Sequence, residues 1–264
     1  MSNLKISVIT VSFNAADTIE ETILSVLNQT YDNLEYIIID GGSTDGTVDI
    51  IKKYADKLDY WISEPDKGIY DAMNKGIRVA TGEYVNFMNA GDRFFNNSVI
   101  SDIFTSNSYA ESVIYGCWIT QFMDGFRAYF PSQDPSVLKD RNPINHQSAF
   151  TERSVLQKYK FNLEYPRFAD YDLFRRMYKD HYSFRYINKF IAIYDVYGIS
   201  SVKSKSCFNE LQTITENTTS DIKYFIWKFN HSWRRFIPRV FKKAINRLFR
   251  KENISHPLSY FKQL

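Results

Sequence analysis

Polar side chains recur in the first half of this sequence at the points where short apolar runs end. The runs 5–12, 35–40, 59–63 and 83–88 are rich in β-branched and aromatic residues, which is typical of buried strands. The polar residues at or near these ends are Ser12, Asn14, Asp40, Asp66, Asn89 and Asp92, and Thr10 precedes them within the first run. Carboxylates accept hydrogen bonds and are ligands for hard divalent cations, so this set can bind a polar, charged ligand.

Two further groups with chemical potential lie in the second half. The polar loop 142–148 carries His146, and a helix predicted over 171–179 has Asp170 at its start and Asp172 in its first turn. Carboxylates at that place can act on a substrate, or they can serve only to complement the helix dipole. His146 can bind a metal, a diphosphate or an acceptor, or it can have a purely structural role. The residue types alone leave these alternatives open.

The elements that position these groups alternate between strand and helix. Between the four runs, apolar residues repeat at helical spacing, and Asp17 and Glu20 have the spacing of a capping box at the first helix. Strands separated by helices form a parallel, doubly wound sheet, which binds ligands beyond the carboxyl ends of its strands. In the second half, strands predicted at 113–119, 126–130, 184–187 and 190–194 indicate a hairpin or mixed sheet.

The composition fits one α/β domain, or one such domain with an appendage. Of the 264 residues, 44% are hydrophobic, which is enough for a full core. The net charge of +3 by itself predicts no nucleic-acid partner, and two cysteines fit a reducing compartment. The first residues do not resemble a signal peptide, and no window contains 18 apolar residues, so we expect neither secretion nor a membrane span.

The C-terminal part of the sequence is strongly basic. Residues 222–251 contain ten Lys and Arg residues and no Asp or Glu. After Pro238, apolar and basic residues separate onto opposite faces at helical spacing, which predicts an amphipathic helix lying on an anionic membrane. The alternative is a helix packed on the domain with its basic side in solvent.

Six short segments together resemble a known family. They are ISVITVSFN at 6–14, QTYDNLE at 29–35, DGGSTD at 40–45, GIYDAMNKG at 68–76, NAGD at 89–92 and DYD at 170–172. In this order they resemble glycosyltransferase family 2, whose members have the GT-A fold. The segment SEPDKGIYDAMN at 63–74 is most similar to the subgroup that assembles exopolysaccharide, capsule or O-antigen.

The resemblance implies a donor site in the first half. Asp40 would accept an N–H of the nucleobase, with Thr10, Ser12 and Asn14 beside it and with Asp66 near the phosphates. The alternative for Asp40 is that it only caps the turn through Gly41 and Gly42. These donor-site residues would belong to a UDP-sugar site, with a GDP- or dTDP-sugar as the less favoured donor.

The resemblance also implies a metal site and a base. The segment 89–92 stands where the family has its DxD element, so Asp92 would bind Mg²⁺ or Mn²⁺ and Asn89 would contact ribose or phosphate. The alternative is a strand-end turn capped by Asp92. Asp170 matches the first Asp of the family's acidic motif and would be the base that activates the acceptor hydroxyl, with Asp172 orienting it or pairing with a nearby arginine.

We therefore expect an α/β fold with a GT-A-like doubly wound mixed sheet and a basic amphipathic helical tail. The glycosyltransferase domain would cover 1–200, with its nucleotide-sugar half at about 1–110 and its acceptor half at about 111–200, and the linker and tail would cover 201–264. The expected reaction is inverting transfer of a hexose or N-acetylhexosamine from a UDP-sugar to a lipid-linked saccharide, at the cytoplasmic face of a bacterial membrane. The alternatives are a non-catalytic nucleotide-sugar- or glycan-binding relative and a nucleic-acid-binding protein acting through the tail.

Overall fold

The computed structural model describes residues 4–122, 125–131, 133–195 and 204–216. The predicted basic tail at 222–251 lies outside these residues, as do parts of the predicted linker, 201–203 and 217–221. The strands are β1 Ile6–Ser12, β2 Leu34–Asp40, β3 Tyr60–Ser63, β4 Tyr84–Phe87, β5 Arg93–Phe94, β6 Val113–Phe122, β7 Gly125–Tyr129, β8 Ala149–Glu152 and β9 Phe184–Asp195. The helices are α1 Ile19–Leu27, α2 Thr47–Lys53, α3 Ile69–Val79, α4 Val99–Phe104, α5 Arg153–Tyr159, α6 Ala169–Lys179 and α7 Lys205–Ile214.

One mixed sheet runs through the described part of the chain. Its order is β3-β2-β1-β4-β8-β6-β9-β5, and β7 pairs with β6 as a hairpin. The first four strands are mutually parallel, β8 is antiparallel to both β4 and β6, and β9 runs parallel to β6. The predicted α/β class with a doubly wound mixed sheet is confirmed. The two strands predicted at 184–187 and 190–194 are one strand, because β9 follows β6 across a register shift.

The central strands are buried on both faces, as the apolar runs predicted. In β1, Ile9 and Val11 belong to one hydrophobic cluster, and Ile6 and Val8 belong to the other. Helix α3 covers the first face and helix α1 covers the second. Since parallel strands need cover on both faces, their residues form near-continuous apolar runs. The polar residues near the ends of the strands are therefore exceptions to the pattern of the core.

The start of α1 differs from the prediction. The helix begins at Ile19, and its N-cap residue Thr18 makes no side-chain capping hydrogen bond. Glu20 instead accepts a hydrogen bond of 2.8 Å from the hydroxyl of Tyr54 at the end of α2. The predicted capping box is therefore wrong, because the tertiary contact with α2 engages Glu20.

Glu35 ties the amino-terminal ends of β1 and β2 to the turn before β4. Its carboxylate accepts hydrogen bonds from the Ser7 hydroxyl, from the amide and hydroxyl of Thr81, and from Lys5 Nζ at 3.0 Å. Burial opposes ionisation of Glu35, but these hydrogen bonds outweigh it and lower the pKa from 4.5 to about 2. The carboxylate therefore stabilises the fold in its ionised form.

Glu35→Gln is expected to remove part of the acid sensitivity of folding. Because the folded-state pKa lies below the unfolded one, the stabilisation is complete above about pH 4.5 and disappears as the pH falls towards 2. The lowered pKa corresponds to at most about 3 kcal/mol. Urea unfolding of both proteins between pH 3 and 7 measures this dependence, with Asp49→Asn, an exposed acid on α2, as the control. An unchanged pH dependence in Glu35→Gln would contradict the assignment.

Candidate functional site

A cavity of about 1000 Å³ opens at the carboxyl ends of β1, β2 and β4 and extends to the second half of the chain. The predicted site residues that line it are Ser12, Asp66, Asn89, Asp92, His146 and Asp170. Thr10, Asn14 and Asp40 lie outside its wall. The structure thus brings residues that are up to 158 positions apart in sequence, from Ser12 to Asp170, to one cavity.

Asp40 is fully buried and organises the turn that follows β2. It accepts hydrogen bonds from the hydroxyls of Ser12, Ser43 and Ser63 at 2.8, 2.6 and 2.6 Å, and from the amides of Gly42 and Ser43 at 3.1 and 2.9 Å. Burial opposes its ionisation, but these donors outweigh burial and hold its pKa below the ordinary value. This geometry corresponds to the turn-capping alternative, and a direct contact with a nucleobase stays a prediction.

Thr10 and Asn14 also stabilise the frame of the site. The hydroxyl of Thr10 donates to the carbonyl of Met88 at 2.7 Å, which ties β1 to the end of β4. Asn14 has φ +46°, and its side-chain oxygen accepts the amide of Thr44 at 3.0 Å. Both residues hold neighbouring chain ends together, and their predicted contacts with the donor remain predictions.

Asp66 lies against Gly41 at the end of the cavity beside β2. Its Oδ1 accepts the amide of Gly68 at 2.7 Å, and its Oδ2 lies 2.5 Å from the point where a Cβ on Gly41 would be. A Cβ at position 41 would therefore have to displace the Asp66 carboxylate. This close contact with Asp66 favours glycine directly after β2. Because Gly41 has no side chain, its backbone lines the cavity there.

Three polar side chains form a hydrogen-bonded chain across the cavity. His146 Nδ1 lies 3.3 Å from Asp170 Oδ2, and His146 Nε2 lies 3.0 Å from Asn89 Nδ2. With Asn89 donating through its amide N–H, Nε2 of the ring accepts and Nδ1–H donates to Asp170. His146 thus connects the end of β4 to the start of α6. A structural role for His146 is compatible with this bridge, and its direct contact with a metal, a diphosphate or an acceptor stays a prediction.

Asp170 receives further donors from α3 and from its own helix, α6. Its Oδ1 lies 3.2 Å from the hydroxyl of Tyr70 on α3 and accepts the amide of Tyr171 at 2.8 Å. Burial and the charge of Asp170 raise the pKa of Tyr70 well above 10, so this phenol is a neutral donor. Tyr70 is buried and its ring packs on Phe161, with 5.2 Å between ring centroids, so its hydroxyl is the part that reaches Asp170.

Asp172 has a different role from Asp170. Its Oδ2 accepts Arg176 Nε at 2.8 Å, one turn further along α6, and it lies outside the cavity wall. Burial raises the pKa of Asp172, and the charge of Arg176 offsets part of that effect. Of the two predicted roles for Asp172, the pairing with an arginine is the one that the structure contains.

Asp92 and Gln147 form a pair that sequence reasoning did not single out. Gln147 Nε2 donates to Asp92 Oδ2 at 2.7 Å, and both residues are buried and line the cavity. The available signal was the polar run 142–148, in which residue type distinguishes His146 but not Gln147. Gln147 fixes one oxygen of Asp92 and thereby sets the direction of the carboxylate.

The donor atoms at the end of β4 fit a hard cation in part. Asp92 supplies carboxylate oxygen, and the buried Oδ1 of Asn89 has no hydrogen-bond partner. Oxygen ligands of this kind suit Mg²⁺ or Mn²⁺. Within the described residues, no cluster of three or more His, Cys, Asp or Glu side chains could hold a metal ion. A cation here would therefore need further ligands from a bound diphosphate and from water.

The fold and this site can now be compared with known proteins. The sequence model of glycosyl transferase family 2 matches residues 7–182, and the chain therefore belongs to that family. The predicted family, GT-A fold and enzyme class are thereby confirmed.

Two relatives by sequence illustrate the range of the family. The chain is 33% identical over 177 residues to an uncharacterised glycosyltransferase of Mycobacterium tuberculosis, covering 65% of this chain and 68% of the relative. It is 44% identical over 100 residues to the putative teichuronic acid biosynthesis glycosyltransferase TuaG of Bacillus subtilis, covering 36% of this chain and 39% of the relative.

Two solved structures share the fold. Staphylococcus aureus TarS 1–349 in complex with UDP-GlcNAc has a TM-score of 0.66 at 17% identity, covering 84% of this chain and 69% of that chain. Glucosyl-3-phosphoglycerate synthase of Mycobacterium tuberculosis, in complex with Mn²⁺, UDP and phosphoglyceric acid, has a TM-score of 0.59 at 16% identity, covering 82% and 80%.

Proposed function

We propose that this chain transfers a hexose or N-acetylhexosamine from a UDP-sugar to a lipid-linked saccharide, with inversion at the anomeric carbon. The observation that carries the proposal is the placement of Asp170 and Asp92 on one cavity, with His146 and Asn89 bridging the two sides. A transferase of this kind needs a base for the acceptor and a site for the departing diphosphate.

The donor would occupy the end of the cavity formed by β1, β2 and β4. Ser12, Gly41 and Asp66 line that end, and Asn89 and Asp92 follow at the end of β4. Asp92 would hold a divalent cation, with Asn89 beside it. When bound, that cation neutralises the charge that develops on the leaving diphosphate. The UDP-GlcNAc and Mn²⁺–UDP complexes of the structural neighbours support a UDP-sugar donor and a divalent cation.

Asp170 would accept the proton of the acceptor hydroxyl. As the acceptor oxygen bonds to the anomeric carbon, the bond from that carbon to the diphosphate oxygen breaks on the opposite face of the sugar. His146 and Tyr70 hold the two oxygens of Asp170 from either side, which fixes the carboxylate for the transfer. Positioning by such neighbours increases the rate because the base is already in place when the acceptor binds.

The acceptor would bind in the part of the cavity formed by the second half. Trp118 and Tyr129, a cross-strand pair on β6 and β7, stack with 5.3 Å between ring centroids and an angle of 3° between their planes, and both line the cavity. Aromatic faces suit the apolar face of a sugar ring. The teichuronic acid relative supports an acceptor that belongs to a surface polysaccharide.

A screen of nucleotides by thermal unfolding tests the donor class. UDP, UDP-glucose and UDP-N-acetylglucosamine with Mn²⁺ are each expected to raise the Tm, since a ligand at 100 times its Kd adds about 2.7 kcal/mol to stability. GDP- and dTDP-sugars serve as matched comparisons. A shift with GDP- or dTDP-sugars alone would contradict the choice of UDP, and no shift with any nucleotide would contradict the proposed site.

A lipid-linked acceptor is consistent with the basic sequence of residues 222–251. No helix in the described part of the chain is long and apolar enough to cross a membrane. The proposed attachment is peripheral, on the inner face of the cell membrane, through basic and aromatic side chains. Near an anionic surface each Lys or Arg contributes at most about 1 kcal/mol, so half of the ten would hold the protein there at moderate salt.

Liposome flotation tests the membrane proposal. The full chain is expected to float with phosphatidylglycerol vesicles at low salt, and a chain truncated before Asp221 is expected to stay at the bottom of the gradient. The truncated chain should still hydrolyse the donor, because the cavity residues all precede position 212. Equal flotation of both proteins, or no flotation of the full chain, would exclude the tail as a membrane anchor.

A further inference from the structure

Helix α7 lies beyond the residues matched by the family and still contributes to the cavity. The match ends at residue 182, and α7 covers Lys205–Ile214. Leu211 lines the cavity together with the segment 166–168 and Asp170. Ile214 belongs to the same hydrophobic cluster as Ala169 and Tyr171 of α6. This helix is therefore part of the wall nearest to Asp170.

Glu210 of α7 binds the backbone at the start of α6. Its Oε1 accepts the amides of Arg167 and Phe168 at 2.9 and 2.7 Å, and its Oε2 lies 4.0 Å from Arg167 Nη1. Glu210 is 8% exposed, so these bonds form away from solvent. The N-cap residue of α6, Phe168, makes no side-chain capping bond of its own. The Glu210 carboxylate of α7 therefore caps the start of α6, because it accepts the amides of Arg167 and Phe168 that no local side chain binds.

The peptide that Glu210 holds is also tied to Asp170. Tyr70 Oη lies 2.9 Å from the carbonyl oxygen of Arg167 and 3.2 Å from Asp170 Oδ1. Asp170 is the second residue of α6, three positions after Arg167. The amide side of this short segment is therefore fixed by α7 and its carbonyl side by α3. A displacement of the segment would move the Asp170 carboxylate relative to His146.

We propose that α7 forms part of the acceptor side of the active site and that its residue Glu210 positions Asp170. The proposal rests on the proposed function, because it takes Asp170 as the base. Glu210 acts by geometry: an oxygen at the position of Oε1 holds both amides and keeps the start of α6 in place. The charge of Glu210 is of secondary importance, since a neutral amide oxygen in the same position can accept the same two bonds.

Two substitutions separate geometry from charge. Glu210→Gln keeps an oxygen at the same reach and removes the charge, whereas Glu210→Asp keeps the charge and withdraws the oxygen by one methylene. Release of UDP from UDP-N-acetylglucosamine in water, with Mn²⁺, gives kcat and the KM for the donor. Glu210→Gln is expected to stay within about threefold of the wild-type kcat, and Glu210→Asp is expected to lose about 10–100-fold, as small misplacements of a base do. The donor KM should change little in either variant.

Hydrogen exchange supplies a readout that does not depend on activity. The amides of Arg167 and Phe168 should exchange faster in Glu210→Asp than in the wild type and should stay protected in Glu210→Gln. Glu216→Gln is the matched control just after the end of α7, where Glu216 pairs with Arg175 and Lys179 and does not line the cavity. It should leave kcat and the exchange of both amides unchanged.

The failure of this inference is distinguishable from the failure of the proposed function. If the wild type releases no UDP from any UDP-sugar, the proposed function fails. If the wild type is active and Glu210→Asp matches its kcat, or Glu210→Gln loses as much as Glu210→Asp, only the positioning role of Glu210 is overturned. A kcat loss in Glu210→Asp with unchanged exchange at the two amides would also overturn it.

Discussion

Asp170→Asn is expected to bind a UDP-sugar as the wild type does and to turn it over about 10²–10⁴-fold more slowly. The substitution keeps the size of the side chain and removes the oxygen that can accept a proton. The proposed donor site lies at the other end of the cavity, along Ser12, Gly41 and Asp66, so donor affinity should not depend on the charge of Asp170. Calorimetric titration of UDP and the rate of UDP release measure the two effects separately.

Asp172→Asn is the matched control for this prediction. It lies two residues further along α6, pairs with Arg176, and lies outside the cavity wall. Asparagine keeps a side-chain oxygen that can accept the N–H of Arg176 and removes only the charge. We expect a modest loss of stability and an unchanged kcat. If Asp172→Asn is inactive and Asp170→Asn is active, the assignment of the base is wrong.

Asp92→Ala is expected to abolish metal-dependent turnover while the protein stays folded. Asp92 is the carboxylate in the segment 89–92 and lines the cavity at the end of β4. A cation that stabilises a leaving diphosphate supplies several kcal/mol to the transition state, so its loss reduces the rate by about 10³-fold or more. UDP release is measured in a titration of Mn²⁺, and circular dichroism reports the fold.

Asp102→Ala provides the comparison for Asp92→Ala. Asp102 is an exposed acid on the nearby helix α4, and its substitution should change neither the rate nor the Mn²⁺ dependence. Full activity of Asp92→Ala at saturating Mn²⁺ would end the metal assignment. Wild-type activity that persists in excess EDTA would contradict it equally.

The polar residues at the strand ends were predictable because each follows a buried apolar run and each lies at the ligand-binding edge of the sheet. The runs in β1, β2 and β4 are buried on both faces, so a polar residue at the end of such a run is conspicuous in the sequence. For Ser12 and Asp92 the expectation was that they face a ligand cavity, and both line it. Asp40 has the same signal and lies behind the wall, because nearby serine hydroxyls and turn amides already occupy its oxygens.

The contacts that hold the acceptor side were not predictable from the sequence. His146 and Asp170 meet only because β8, β6 and β9 bring loop 142–148 beside α6, and no local periodicity encodes that order. Gln147 and Glu210 carry no distinguishing pattern, since isolated polar residues in a loop or helix are common. Their roles depend on long-range partners, Asp92 and the amides before α6.

The most direct measurement of the central claim follows a labelled sugar from donor to lipid. Wild type and Asp170→Asn are incubated with Mn²⁺, radiolabelled UDP-N-acetylglucosamine or UDP-glucose, and lipid-linked saccharides extracted from cells that carry this gene. We expect the wild type to move label from one of these donors into the organic phase, in a form released by mild acid, and Asp170→Asn to leave it in the aqueous phase. Label that stays aqueous with the wild type for both donors, or equal transfer by Asp170→Asn, would contradict the proposal.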